Sequence, residues 1–173
     1  MSDSNFFVVN NKVGNVWGTD LYDASINKKV DSYENATHAL SSDGLYSYGL
    51  DYARLFRLGG YGYNGIRDKR HDDPLPSDTG ITKMNMKTRE VDLLVSVRQV
   101  AEFGTNSVST ISHHYLTHLL LNPSSTRIAF LHRYFMADGG LMTRLMTIGV
   151  DGNDMRCLAQ GYLSHFSWKD DNT

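Results

Sequence analysis

Cysteine is almost absent: Cys157 stands alone among 173 residues, which excludes an internal disulfide framework and any cysteine-rich zinc site. No sign of charge is in excess, with 17 Lys and Arg against 19 Asp and Glu. The chain therefore carries no basic footprint for nucleic acid and nothing that draws it to an anionic membrane surface. No apolar run approaches the length of a membrane span. The opening Met1-Ser2-Asp3-Ser4-Asn5 lacks a positive n-region, and Phe6-Phe7-Val8-Val9 is too short for the apolar core of a secretory signal. Taking Met1 as the native start, the expected location is the cytoplasm. There is no phosphate loop, no Gly-x-Ser-x-Gly elbow and no dinucleotide fingerprint. Asp151-Gly152-Asn153-Asp154 begins like a calcium loop but lacks the later ligands, so it reads as a turn.

What is present is a globular composition, 40% hydrophobic and 11% aromatic, in a chain long enough to bury a core. Internal repetition is its main signal. Leu40-Ser41-Ser42-Asp43-Gly44-Leu45-Tyr46-Ser47-Tyr48-Gly49 aligns with Leu121-Asn122-Pro123-Ser124-Ser125-Thr126-Arg127-Ile128-Ala129-Phe130. Both read as strand, tight polar turn, strand. A shorter copy opens at His165-Phe166-Ser167-Trp168, with Trp168 in the place of Leu121.

A second hairpin type occurs three times. It runs from Thr19–Asp23 to Lys28–Val30, from Thr82–Met86 to Val91–Val95, and from Thr143–Ile148 to Met155–Leu158. The two hairpin types alternate, which is the order of four-stranded blades with inner and outer strand pairs. Residues 128–135 are apolar on both faces, as a blade sandwiched between neighbours requires. Gly59 to Gly65, followed by Asp68 to Asp78 with Pro74 and Pro76, reads as a long surface loop, and Val97 to Phe103 as a short helix.

These patterns predict an all-β chain: a β-propeller fragment of about two full four-stranded blades plus partial blades at both ends. Residues 1–173 form one propeller-like region, with a partial first blade over 1–36 and a blade with a long loop insertion over 37–112. A further blade covers 113–163, and 164–173 starts the next. Closed propellers hold about 4–8 blades. Such a chain is either truncated or buries its open blade faces by forming an oligomer.

The histidines are the sharpest candidates for chemistry. His118 and His165 each stand three residues before the large apolar residue closing the same strand type, which places both near a central channel. Imidazoles so placed share a metal, or each caps a strand and bonds a backbone carbonyl. His113, His114 and His118 form a local cluster, but on one strand His114 and His118 share a face about 13 Å apart by rise and cannot chelate one ion unaided. His132, Arg133 and Arg144 lie on neighbouring strands. His as base and Arg as carboxylate partner make a workable proton-abstraction pair; the alternative is a structural network with Asp138, Asp151 or Asp154. Tyr61 and Tyr63, with their glycines, read as a turn or a binding loop.

The run from His118 through Asn122-Pro123-Ser124-Ser125-Thr126-Arg127-Ile128-Ala129-Phe130-Leu131-His132-Arg133, then Thr143-Arg144-Leu145, Asp151-Gly152 and Ser164-His165-x-x-Trp168, resembles oligogalacturonate-lyase-like propellers. It is also similar to the broader Tol-type periplasmic propeller repeats. The resemblance covers mainly residues 113–173. The stretch Val9 to Gly18 looks more like uncharacterised bacterial propellers of polysaccharide loci. In the lyases a channel metal, manganese, binds the uronate carboxylate. The resemblance implies His165 and His118 as metal ligands, His132 as base and Arg144 as carboxylate partner. Further ligands would come from a blade beyond residue 173.

Two functions follow as expectations. The first is a propeller-type module without catalysis that binds a glycan or protein ligand through its channel face, using Arg133, His114, Tyr61 and Tyr63. The second is a metal-dependent oligogalacturonate lyase acting by β-elimination, inactive as this fragment alone.

Overall fold

A computed structural model describes residues 5–104 and 111–173. It is built of three antiparallel sheets in chain order. The first holds β1 (Phe6–Val13), β2 (Val16–Asp23) and β3 (Lys28–Tyr33), ordered β1-β2-β3. The second holds β4 (Ala39–Leu40), β5 (Tyr46–Leu50), β6 (Gly80–Asn85) and β7 (Val91–Ser96), again in simple sequence order. In the third, β8 (His114–Leu121), β9 (Arg127–Phe135), β10 (Leu141–Gly149) and β11 (Arg156–Gly161) follow the same meander. The all-β expectation is correct at this level.

Each sheet bends through one register shift in its last pairing, at Leu21/Tyr22, Ile81/Thr82 and Leu145/Met146. A bulge at a repeated place twists each outer strand in the same way, so the repetition is structural as well as sequential.

The core lies between the second and third sheets. Ile81, Ile128 and Phe130 are fully enclosed, with Tyr48, Tyr115, Met146 and Ile148 beside them. Burying each such side chain contributes about 1.5–3 kcal/mol. The first sheet joins this core through Trp17, which packs on Tyr63 with ring centroids 4.9 Å apart.

Two elements escaped the sequence reading. The apolar run at Phe6 opens a full strand, β1, paired with β2 from Phe6↔Asp23 to Val13↔Val16. The β5–β6 connection contains α1 (Tyr52–Gly59), begun by the Asp51 carboxylate accepting the Arg54 amide and ended by Gly60 at φ +70°. The helix read at Val97 is α2 (Val97–Glu102), opened by a capping box between Ser96 and Gln99.

Residues 164–173 pair with no strand among the described residues. They are seated on β8 and its turn: the Trp168 indole donates to the Leu120 carbonyl (3.0 Å) and Asn122 Nδ2 to the Asp171 carbonyl (3.2 Å).

Candidate functional site

The site is assembled on β8 by a loop inserted far upstream. That loop follows α1 and is held by Arg54, a residue the sequence reading passed over. Its guanidinium is 1% exposed and donates to the carbonyls of Arg70, Asp73, Pro74 and His114 at 2.7–3.3 Å. Asp68, also buried, lies 3.7 Å from Arg54 and accepts from Arg57 at 2.9 Å. A buried cation satisfied by this many carbonyls and a carboxylate fixes the insertion in one geometry.

So fixed, the loop sets Tyr61 against β8. The Tyr61 hydroxyl lies 2.7 Å from Thr117 Oγ1 and 3.4 Å from His118 Nδ1, and it accepts from Arg133 Nη1 at 3.4 Å. Arg133 also donates to the Leu163 carbonyl (3.2 Å), which ties the chain leading to His165 to the same place. The rings of His118 and His165 meet edge to face at 6.0 Å. Thus Tyr61, His118, Arg133 and His165 converge.

The strand alternation expected for His118 fails, for an identifiable reason. β8 shifts register between Thr117 and Leu120, and His118 itself sits at φ +58°. The bulge breaks the period-two alternation, so His114 and His118 do not share a face: His114 is buried and His118 is half-exposed.

His38 was missed. Its Nδ1 lies 2.9 Å from the Tyr52 hydroxyl, and it is close enough to His118 for that imidazole to disfavour its protonation. The Tyr52 and Tyr63 rings meet at a tilt, centroids 4.7 Å apart, and Asn10 Nδ2 reaches the Tyr63 hydroxyl (3.2 Å) and the Thr37 carbonyl (2.6 Å). The available signal was a repeated dipeptide: Thr37-His38 just before β4, Thr117-His118 within β8, and Ser164-His165. Tyr52 also lines a cleft of about 230 Å³ with Asn15, Trp17, Arg67 and Lys69; the Trp17 indole N–H is buried without a partner among the described residues.

Desolvation sets the charge of this surface. His38 touches solvent, yet the protein surrounds it closely enough to hold its imidazole down to about 4, with His118 adding to the effect. His118 is lowered by desolvation, then by Arg133 and His165. Both are neutral at pH 7, each able to donate one hydrogen bond and accept another.

The remaining candidates lie elsewhere. His114 and His132 are both buried and hydrogen-bonded, Nδ1 to Nε2, at 2.9 Å, and both stack on Tyr134. His132 is directly opposite Arg144 in the β9–β10 register, but the Arg144 guanidinium reaches the carbonyls of Val100, Ala101 and Phe103 at the end of α2. The Asp partners considered from sequence are not among its contacts; Asp154 pairs with Arg127 and Arg156 instead. Among the described residues, no three His, Cys, Asp or Glu side chains converge as a group able to hold a metal ion.

This surface offers neutral imidazoles, phenol hydroxyls, exposed aromatic rings and the Arg133 guanidinium, whose buried Nε has no partner among the described residues. It can bind hydroxyls and carboxylates while packing an apolar ring face. Compared with known proteins, the chain matches no family model, no curated protein and no solved structure.

Proposed function

We propose that this chain is part of a β-propeller that binds a glycan through the channel-side face built on its inner strands. The blades divide near residues 36, 112 and 163, with β4, β8 and residues 164–168 as successive inner strands. The observation that carries this reading is the recurrence of Thr-His or Ser-His on or immediately before each of the three, with Tyr61 and Arg133 brought against the second. A polyhydroxylated ligand suits it because neutral imidazoles and phenols exchange hydrogen bonds with hydroxyls at little desolvation cost.

The test is direct binding of neutral and uronate-containing oligosaccharides, measured by calorimetry. Binding weakened at least tenfold by His118→Ala, with the unfolding midpoint held, supports the reading. Absence of binding across both classes rejects it.

The metal-dependent lyase is the second reading, favoured by the 6.0 Å approach of His118 and His165. Manganese binding that is lost in His165→Ala would mark it. It ranks second because the side chains that the resemblance offers for proton abstraction are spent otherwise: His132 is 0% exposed in the core, and Arg144 caps α2.

A further inference from the structure

Asn10, Asn11, Asn35 and Asn122 bond their side-chain amides to Thr37, Asp20, Ala36 and Thr126. Asn64 does not. It lies in the insertion between Tyr63 and Asp68, and both it and Gly65 are exposed. Among the described residues neither makes a hydrogen bond through backbone or side chain. Asn64 is also the one asparagine of the sequence that a glycine follows.

That pair of residues has a chemistry of its own. The Gly65 amide nitrogen, having lost its proton to water, attacks Asn64 Cγ and closes a five-membered succinimide. The Cγ–Nδ2 bond breaks and ammonia leaves. Water then opens the ring at either carbonyl, giving aspartate or isoaspartate, and in isoaspartate the main chain runs through the side-chain methylene. A folded segment blocks this sequence in three ways: by hydrogen-bonding the amides, by a bulky following side chain, or by a backbone too rigid to bring nitrogen and Cγ together. None of the three operates at Asn64. Gly65 sits at φ +110° with open space where a Cβ would stand, and glycine crosses backbone conformations more freely than any other residue.

We propose that Asn64 is a site of spontaneous modification, and that its isoaspartate product frees Tyr63 from its packing on Trp17. The change falls between two anchors. Upstream, the Tyr63 ring meets Trp17 at 4.9 Å and Tyr52 at 4.7 Å, and its hydroxyl accepts from Asn10. Downstream, buried Asp68 accepts from Arg57 Nε at 2.9 Å and from the Arg70 amide at 2.8 Å. The inserted methylene must be absorbed between them. Breaking the buried ion pairs of Asp68 is the costlier route, so the tyrosine side yields. The insertion that sets Tyr61 against β8 therefore carries a clock, whatever ligand that surface takes.

The test is to age the full chain at neutral pH beside a synthetic 58–67 peptide, whose only side-chain amide is that of Asn64. Trypsin releases the same fragment from the protein by cutting after Arg57 and Arg67. The expected result is a gain of one mass unit, with isoaspartate marked by isoaspartyl methyltransferase labelling. Its rate should lie within about threefold of the peptide's, because a segment already open needs no unfolding first. A rate more than about tenfold below the peptide's overturns the proposal, since the fold then restrains the segment. Asn64→Gln, which would have to close a six-membered ring, keeps its mass under the same treatment. The consequence is read by NMR at the Trp17 indole N–H, one of two such signals in the chain. That signal should move in the aged protein and stay in place in Asn64→Asp, which adds the charge without the length. An unmoved signal in fully converted protein, or an equal shift in Asn64→Asp, overturns the release of Tyr63 by the lengthened chain.

Discussion

His114 and His118 stand four residues apart on β8, and their surroundings are opposite. His114 is buried, bonded to His132 and stacked on Tyr134, in a layer of three rings within 5.5 Å of one another. His118 lies at a bulge with φ +58°, half-exposed, facing Tyr61 and His165. Regular alternation would have given both the same face; one shifted residue gives one imidazole to the core and the other to the surface. The difference shows that identical side chains on one strand divide between core and surface by backbone register.

The strongest way to break this contrast is at His132. Truncation to Ala leaves a cavity and strips His114 of its buried partner, so His132→Ala should cost about 2–4 kcal/mol. Urea unfolding measures it. Ligand affinity, determined on the folded fraction, should stay within about twofold, because the pair lies away from the Tyr61 surface. A large affinity loss at unchanged stability would instead make His132 part of the site.

Acid should act on the same pair. Desolvation first, then His114 and Arg144, holds the His132 imidazole well below the ordinary histidine range. A histidine of depressed pKa is neutral in the fold and takes up a proton more readily once unfolded. Its contribution is therefore complete above about pH 6.5 and declines as the pH falls from there toward the folded value. Stability measured between pH 7.5 and 5 should fall with acid, and this slope should flatten in His132→Ala. An unchanged slope in the variant would assign the acid sensitivity to other groups.

Much of this architecture was legible in the sequence. The outer hairpins around Lys87–Glu90 and Asp151–Asp154 announced themselves because turn chemistry and flanking apolar runs agree. The helix α2 was legible for the same reason, its start being set by the local Ser96–Gln99 capping box. The strand β1 was not, since Asn10, Asn11 and Lys12 interrupt its apolar opening; the fold accommodates them through Asn10 bonding Thr37 and Tyr63 and Asn11 bonding Asp20. Helix α1 carries a legible Asp51 and Gly60, but eight residues are too few to stand alone, and its anchor Arg54 acts through carbonyls up to 60 positions away. Of the site, the pairing of His118 with His165 could be anticipated from their shared repeat position. The convergence of Tyr61 and Arg133 on them could not, because it depends on that anchored insertion.

The smallest effect isolates the bulge itself. His118→Ala and His118→Gly remove the same ring, so both should lose ligand to the same degree. They differ only in backbone preference: at φ +58° an alanine is strained and a glycine is not. His118→Gly should therefore be more stable than His118→Ala by about 1 kcal/mol, against the usual order within a strand, where glycine is the weaker residue. Paired urea midpoints under one condition resolve a difference of that size. If alanine is equal or better, position 118 is not left-handed, β8 runs without its bulge, and the divergence of the two histidines must arise from packing alone.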